Sequence, residues 1–131
     1  MKLVLDTNAY CLSDVGSESA LEALEEAHSL FLPSIVYGEL YYGFQYGSKL
    51  RENIKRLNRF IEEFQVTLIA VDQEVATKYG DIYASLRKKG KPIPTNDLWI
   101  SACCMSVGGT LLTEDQHFKA VDQIQIRWIT P

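Results

Sequence analysis

Two acids stand where short apolar runs end. Asp6 follows Leu3-Val4-Leu5, and Asp115 closely follows Leu111-Leu112-Thr113. Two more sit on segments that are otherwise apolar. Glu39 is the only charged residue from Ile35 to Tyr46, and Asp97 is the sole acid of the stretch from Asn96 to Val107. An ionised carboxylate in such company costs on the order of several kcal/mol unless something positive meets it. Neither apolar segment carries a Lys or Arg to do so. A hard divalent cation answers the need, because Mg²⁺ and Mn²⁺ take oxygen ligands. Four carboxylates can hold one or two such ions. A two-ion site, with metals about 3.5–4 Å apart, stabilises both the attacking and the leaving oxygen of an in-line phosphoryl displacement. A metal also acidifies the water it holds, so this chemistry needs no catalytic histidine. The chain has only His28 and His117, and both read as surface residues, with a substrate contact the other use open to His117.

Each acid taken alone has a plain structural use. Asp6 makes a turn or caps a short helix, Asp97 sits in a first helical turn favoured by the helix dipole, and Asp115 caps a short helix through Phe118. Glu39 has the weakest such reading. Separate structural roles leave unexplained why two strand ends and two apolar helices each carry one acid.

The elements that must position these acids alternate short apolar runs with amphipathic stretches, which predicts an α/β fold with a mainly parallel sheet. Strands are expected at Leu3–Leu5, Leu30–Leu32, Val66–Val71 and Thr110–Thr113, with an edge strand at Ile124–Ile129. Helices are expected at Glu18–Ser29, Ser34–Tyr46, Leu50–Phe64, Glu74–Lys89 and Asn96–Val107. In open parallel sheets, ligands bind beyond the carboxyl ends of the strands, where chain direction puts Asp6 and Asp115. If the backbone stays extended there, Asp6 and Asn8 share a side, as do Thr113 and Asp115.

At 131 residues, with 47% hydrophobic and 23% charged residues, the chain has the size and composition of one globular domain, residues 1–131. Its 13 basic and 17 acidic residues leave a net charge of −4, which excludes a generic basic nucleic-acid coat. Cys11, Cys103 and Cys104 have no CxxC spacing and read as reduced, packed thiols of a cytoplasmic protein. No apolar run is long enough for a signal peptide or a membrane span. There is no GxxxxGK loop, and Gly108-Gly109 precedes a strand instead of joining strand to helix, so P-loop and Rossmann readings fail.

The ordered set of motifs resembles a PIN domain over essentially the whole chain. It runs through Leu3-Val4-Leu5-Asp6-Thr7-Asn8, Pro33-Ser34-Ile35-Val36-Tyr37-Gly38-Glu39-Leu40, Tyr79-Gly80-Asp81-Ile82 and Pro94-Thr95-Asn96-Asp97-Leu98-Trp99-Ile100-Ser101-Ala102. It closes with Gly109-Thr110-Leu111-Leu112-Thr113-Glu114-Asp115-Gln116-His117-Phe118. Its length is similar to that of the VapC-type ribonuclease toxins of toxin–antitoxin pairs. The resemblance implies a PIN-like three-layer fold, with a central mainly parallel sheet flanked by helices. It implies a Mg²⁺- or Mn²⁺-dependent endoribonuclease whose one or two ions are held by Asp6, Glu39, Asp97 and Asp115. It further implies polar support from Asn8 and Thr113, an RNA substrate, a cognate antitoxin and a homodimer. Glu114 is an alternative ligand, but Asp115 fits the Thr-x-Asp pattern. An acidic metal site alone does not separate RNA from DNA, so a structure-selective DNA nuclease and a non-catalytic PIN-like RNA-binding module are the alternatives.

An acidic protein must hold RNA through a local patch. The basic candidates are Lys49, Arg51, Lys55, Arg56 and Arg59 on one helix, and Arg87-Lys88-Lys89 with Lys91, which the family architecture places nearer the cleft. Tyr37, Tyr41, Tyr42 and Tyr46 share the helix of Glu39. Core packing is the expected place for most of them, and the excess implies a partner surface.

Overall fold

The computed structural model describes residues 1–131. Five strands form one sheet: β1 (Lys2–Leu5), β2 (Ser29–Pro33), β3 (Thr67–Ile69), β4 (Thr110–Thr113) and β5 (Gln125–Trp128). Their spatial order is β3-β2-β1-β4-β5. All four neighbouring pairs are parallel, so the sheet expected to be mainly parallel is wholly parallel. Six helices flank it: α1 (Thr7–Asp14), α2 (Glu18–Glu26), α3 (Ser34–Gln45), α4 (Leu50–Glu63), α5 (Gln73–Lys89) and α6 (Thr95–Val107). A 3₁₀ turn at Gln116–Ala120 links β4 to β5.

Parallel sheets must be covered on both faces, which explains the unbroken apolar runs. Leu3, Val4, Leu5, Leu32, Leu111 and Leu112 are fully buried within one continuous apolar core. The chain first winds from β1 outward to β3 and then crosses back to lay β4 on the other side of β1. The crevice of such a sheet opens at that reversal, beyond the carboxyl ends of β1 and β4. Asp6 and Asp115 leave the sheet on either side of it.

One helix lies outside the expected set of elements, although capping a short helix is a use open to Asp6. α1 begins directly after Asp6, whose Oδ1 accepts from the Ala9 N–H at 2.8 Å and caps it. The extended reading of Asp6 to Asn8 is therefore corrected: helical rotation turns Asn8 to the exposed surface, and it makes no hydrogen bond to any carboxylate. The capping use of Asp6 and a place at the crevice coexist.

Asp97 depends on how α6 is seated. Its indole neighbour Trp99 stacks on Tyr79 of α5, with ring centroids 3.9 Å apart, and Ile100, Ala102, Cys103 and Cys104 face the core. Burial pushes the Cys104 thiol up to about 12, so it packs as a neutral group. Cys11 departs from the expectation of three packed thiols, because it lies exposed on α1. Gly108 ends α6 in the left-handed conformation at φ 63°. Gly109 then lets β4 approach β1: a Cβ there would lie 2.8 Å from Val4 Cγ2 and 3.2 Å from the Lys2 carbonyl oxygen. Gly109→Ala is expected to cost about 1–3 kcal/mol, read as a lower midpoint in urea unfolding.

Candidate active site

Thr113 is the hinge of the site. It ends β4 fully buried, and its hydroxyl donates to Asp6 Oδ2 while its Oγ1 accepts the Asp115 N–H at 2.9 Å. One side chain thus fixes a carboxylate from β1 and the backbone of another from the turn after β4. Asp115 Oδ1 accepts the His117 N–H at 2.9 Å and so caps the 3₁₀ turn.

That turn brings in a residue that the sequence had placed at the surface. His117 is exposed, yet its Nδ1 lies 3.0 Å from Asp115 Oδ1 and 3.4 Å from Asp97 Oδ2. The ligating atoms of Asp97, Asp115 and His117 all fall within 4.8 Å of one another. Asp6 and Glu39 lie outside this triad, close enough that their charges act on Asp97. Glu39 is held at both oxygens: the Thr7 hydroxyl donates to Oε1 at 2.7 Å, and the Asn96 amide donates to Oε2 at 3.3 Å. Thr7 and Asn96 are the supporting groups that sequence reasoning missed, and each adjoins a residue it had singled out. Glu114 turns to a separate cleft shared with Ser17, Glu18 and Thr130.

The electrostatics are those of crowded acids. Burial pushes the Asp6 carboxyl up to about 6; the Thr113 and Ala9 hydrogen bonds oppose this, and the Asp115 and Glu114 charges reinforce it. Burial also pushes Asp97 up to about 6, reinforced by Asp115, opposed by His117, and reinforced further by Glu39 and Asp6. Asp97 Oδ2 is buried and has no hydrogen-bond partner. His117 Nδ1 lies near it without an aligned N–H. A buried carboxylate oxygen left unmatched, beside further oxygen donors, fits a hard cation.

A cleft of about 610 Å³, walled by Thr7, Ser34, Ile35, Gly38, Glu39, Tyr42 and Asn96, opens beside Glu39. The core placement expected for most of the α3 tyrosines is corrected here. Tyr41, Tyr42 and Tyr46 are exposed, with the Tyr42 and Tyr46 rings meeting edge-on at 5.0 Å. They spread around a helix that buries only Val36 and Leu40 fully. Of the basic candidates, Arg56 pairs with Asp14 at 2.5 Å and Lys89 with Asp122. Lys91 and Lys119 wall a second cleft with His117.

The PIN domain sequence pattern matches residues 3–124. The chain belongs to the PIN-domain family. A relative named ribonuclease VapC2, from Haemophilus influenzae, is 30% identical over 124 residues, covering 92% of each chain. Among solved structures, this PIN domain is similar to a VapBC2 structure from Rickettsia felis bound to a promoter DNA fragment. That match has a TM-score of 0.87 at 25% identity and covers 99% of this chain and all of the other. A DNA-bound VapBC structure from Salmonella typhimurium matches with a TM-score of 0.84 at 26% identity and 99% coverage of both chains. The five-stranded parallel sheet with flanking helices is therefore the PIN architecture.

Proposed function

We propose that this PIN domain is a Mg²⁺- or Mn²⁺-dependent endoribonuclease, the toxin of a toxin–antitoxin pair, with Asp6, Glu39, Asp97 and Asp115 holding one or two ions. The observation that carries the reading is the unpartnered, buried Asp97 Oδ2 among acids from four distant stretches of chain. When bound, the ion supplies Lewis-acid charge at the scissile phosphate and acidifies water for in-line attack. The chain's part is positioning. Thr113 and the Ala9 N–H lock Asp6, Thr7 and Asn96 aim Glu39, and the first turn of α6 presents Asp97. Asn8 lies exposed on α1 and holds none of these carboxylates by a direct hydrogen bond.

Lys91 and Lys119, in the cleft beside His117, are the cations best placed to meet an RNA backbone. Ribonuclease names among the relatives favour RNA over the DNA-nuclease alternative, and a full set of four acids opposes a non-catalytic module. VapBC structures among the neighbours support a cognate antitoxin. The exposed tyrosines of α3 are the surface assigned to it, and a homodimer in the cytoplasm belongs to the same reading. No helix is long and apolar enough to cross a membrane.

The test incubates the purified chain with RNA and with DNA of matching sequence, in Mg²⁺, Mn²⁺ or chelator. RNA is cut only with metal, leaving a 5′-phosphate and a 3′-hydroxyl. A 2′,3′-cyclic phosphate, or cleavage that survives chelation, overturns the mechanism. Equal cutting of DNA supports the alternative nuclease.

A further inference from the structure

We propose that His117 is itself a metal ligand, through Nδ1, alongside Asp97 and Asp115. The inference rests on the metal-site reading above and extends it to a nitrogen donor that the four acids do not include. Its geometry is specific. A divalent ion about 2.1 Å from two ligands at right angles holds them about 3.0 Å apart. His117 Nδ1 stands 3.0 Å from Asp115 Oδ1, the length of such an edge, and 3.4 Å from Asp97 Oδ2, a little beyond one, so a single ion can reach all three groups.

The orientation points the same way. The imidazole carries its Nδ1 edge toward the two carboxylates although more than half of the side chain is exposed. The His117 backbone N–H donates to Asp115 Oδ1 and ties the residue to the acid it faces. The second, independent observation is the buried Asp97 Oδ2, which Nδ1 approaches without making an aligned hydrogen bond. A shared cation would meet Nδ1 and both carboxylates at once, the orphaned oxygen included.

An imidazole changes which ion is preferred. Carboxylate and water suit Mg²⁺ and Mn²⁺ alike, whereas a nitrogen donor favours the first-row transition ion. The site is therefore expected to bind Mn²⁺ more tightly than Mg²⁺, and His117→Gln is expected to weaken Mn²⁺ about tenfold while moving Mg²⁺ less.

The deciding measurement is electron paramagnetic resonance of Mn²⁺ bound to the full chain, with spin-echo detection of ¹⁴N coupling. The expected spectrum shows a directly bound imidazole nitrogen in the unmodified protein and in His28→Gln, which alters the only other histidine, and lacks it in His117→Gln. Bound Mn²⁺ without nitrogen coupling in the unmodified protein overturns the role of His117 and leaves the carboxylate site standing. No Mn²⁺ binding at all overturns both. Nitrogen coupling lost in His28→Gln instead places the ion elsewhere and also overturns the proposal. Absence of coupling in the unmodified protein overturns the role of His117 without any variant, and where coupling is present His28→Gln, at an exposed residue, assigns it.

Discussion

Asp6→Asn is expected to lower RNA cleavage by about a thousandfold or more while the metal-free protein melts no lower than the unmodified chain. The two halves of this result come from different atoms. Asparagine keeps an Oδ1 to accept from the Ala9 N–H, so α1 stays capped. It loses the charge that burial and the neighbouring acids already disfavour. Relieving a desolvated carboxylate contributes roughly 1–2 kcal/mol after the lost charged partner of Thr113 is allowed for, a gain of several degrees in melting temperature. Single-turnover cleavage and a thermal melt in chelator check both halves together. Activity within tenfold of the unmodified chain removes Asp6 from the site. Inactivity with a markedly lower melting point means that the fold was lost instead of the chemistry.

The second large effect is a stability that falls as pH rises, and that metal restores. Asp6 and Asp97 have folded-state pKa values of about 6 against the ordinary 3.8. Between these values the folded chain keeps protons that the unfolded chain has released. Stability is therefore fully present below pH 4 with respect to these groups and is lost as pH rises through about 6. Asp6, so displaced and buried, costs the folded state on the order of 3 kcal/mol once ionised; Asp97, partly open to solvent, contributes a screened and smaller amount, and the two are coupled. In chelator, urea unfolding at pH 7.5 is expected to show a lower midpoint than at pH 4.5. Saturating Mg²⁺ should recover stability at pH 7.5, by about 2.7 kcal/mol at a hundredfold excess over its dissociation constant, and do little at pH 4.5. Stability that climbs from pH 4.5 to 7.5 without metal contradicts the electrostatic account.

The strands and the acids were legible in the sequence for one reason: burial on both sheet faces writes apolar runs, and anything charged at their ends stands out. Leu3–Leu5 and Leu111–Thr113 mark the crevice in that way, and the apolar surroundings of Glu39 and Asp97 mark the helices. α1 was not legible. Its sequence, Thr-Asn-Ala-Tyr-Cys-Leu-Ser-Asp, shows little helical periodicity, and it forms because Asp6 caps it and Ala9, Tyr10 and Ser13 find cover. An extended chain and a helix rotate Thr7 and Asn8 differently, so Thr7 was overlooked and Asn8 lost the side it was expected to share with Asp6. His117 was hidden for a different reason. Its place depends on a five-residue 3₁₀ turn that folds the chain back over Asp115, and local composition carries no mark of where such a turn aims a ring. The tyrosines of α3 misled because an aromatic-rich helix looks like core, whether or not anything covers it.

The hydroxyl that steadies Asp6 belongs to a strand more than a hundred residues later in the chain. During translation, Asp6 leaves the ribosome early and waits without Thr113, Asp115 or the turn that follows them. The cluster of acids is complete only when β4 lies beside β1. The pairing that steadies Asp6 thus exists only in a chain whose β4 has been made and docked.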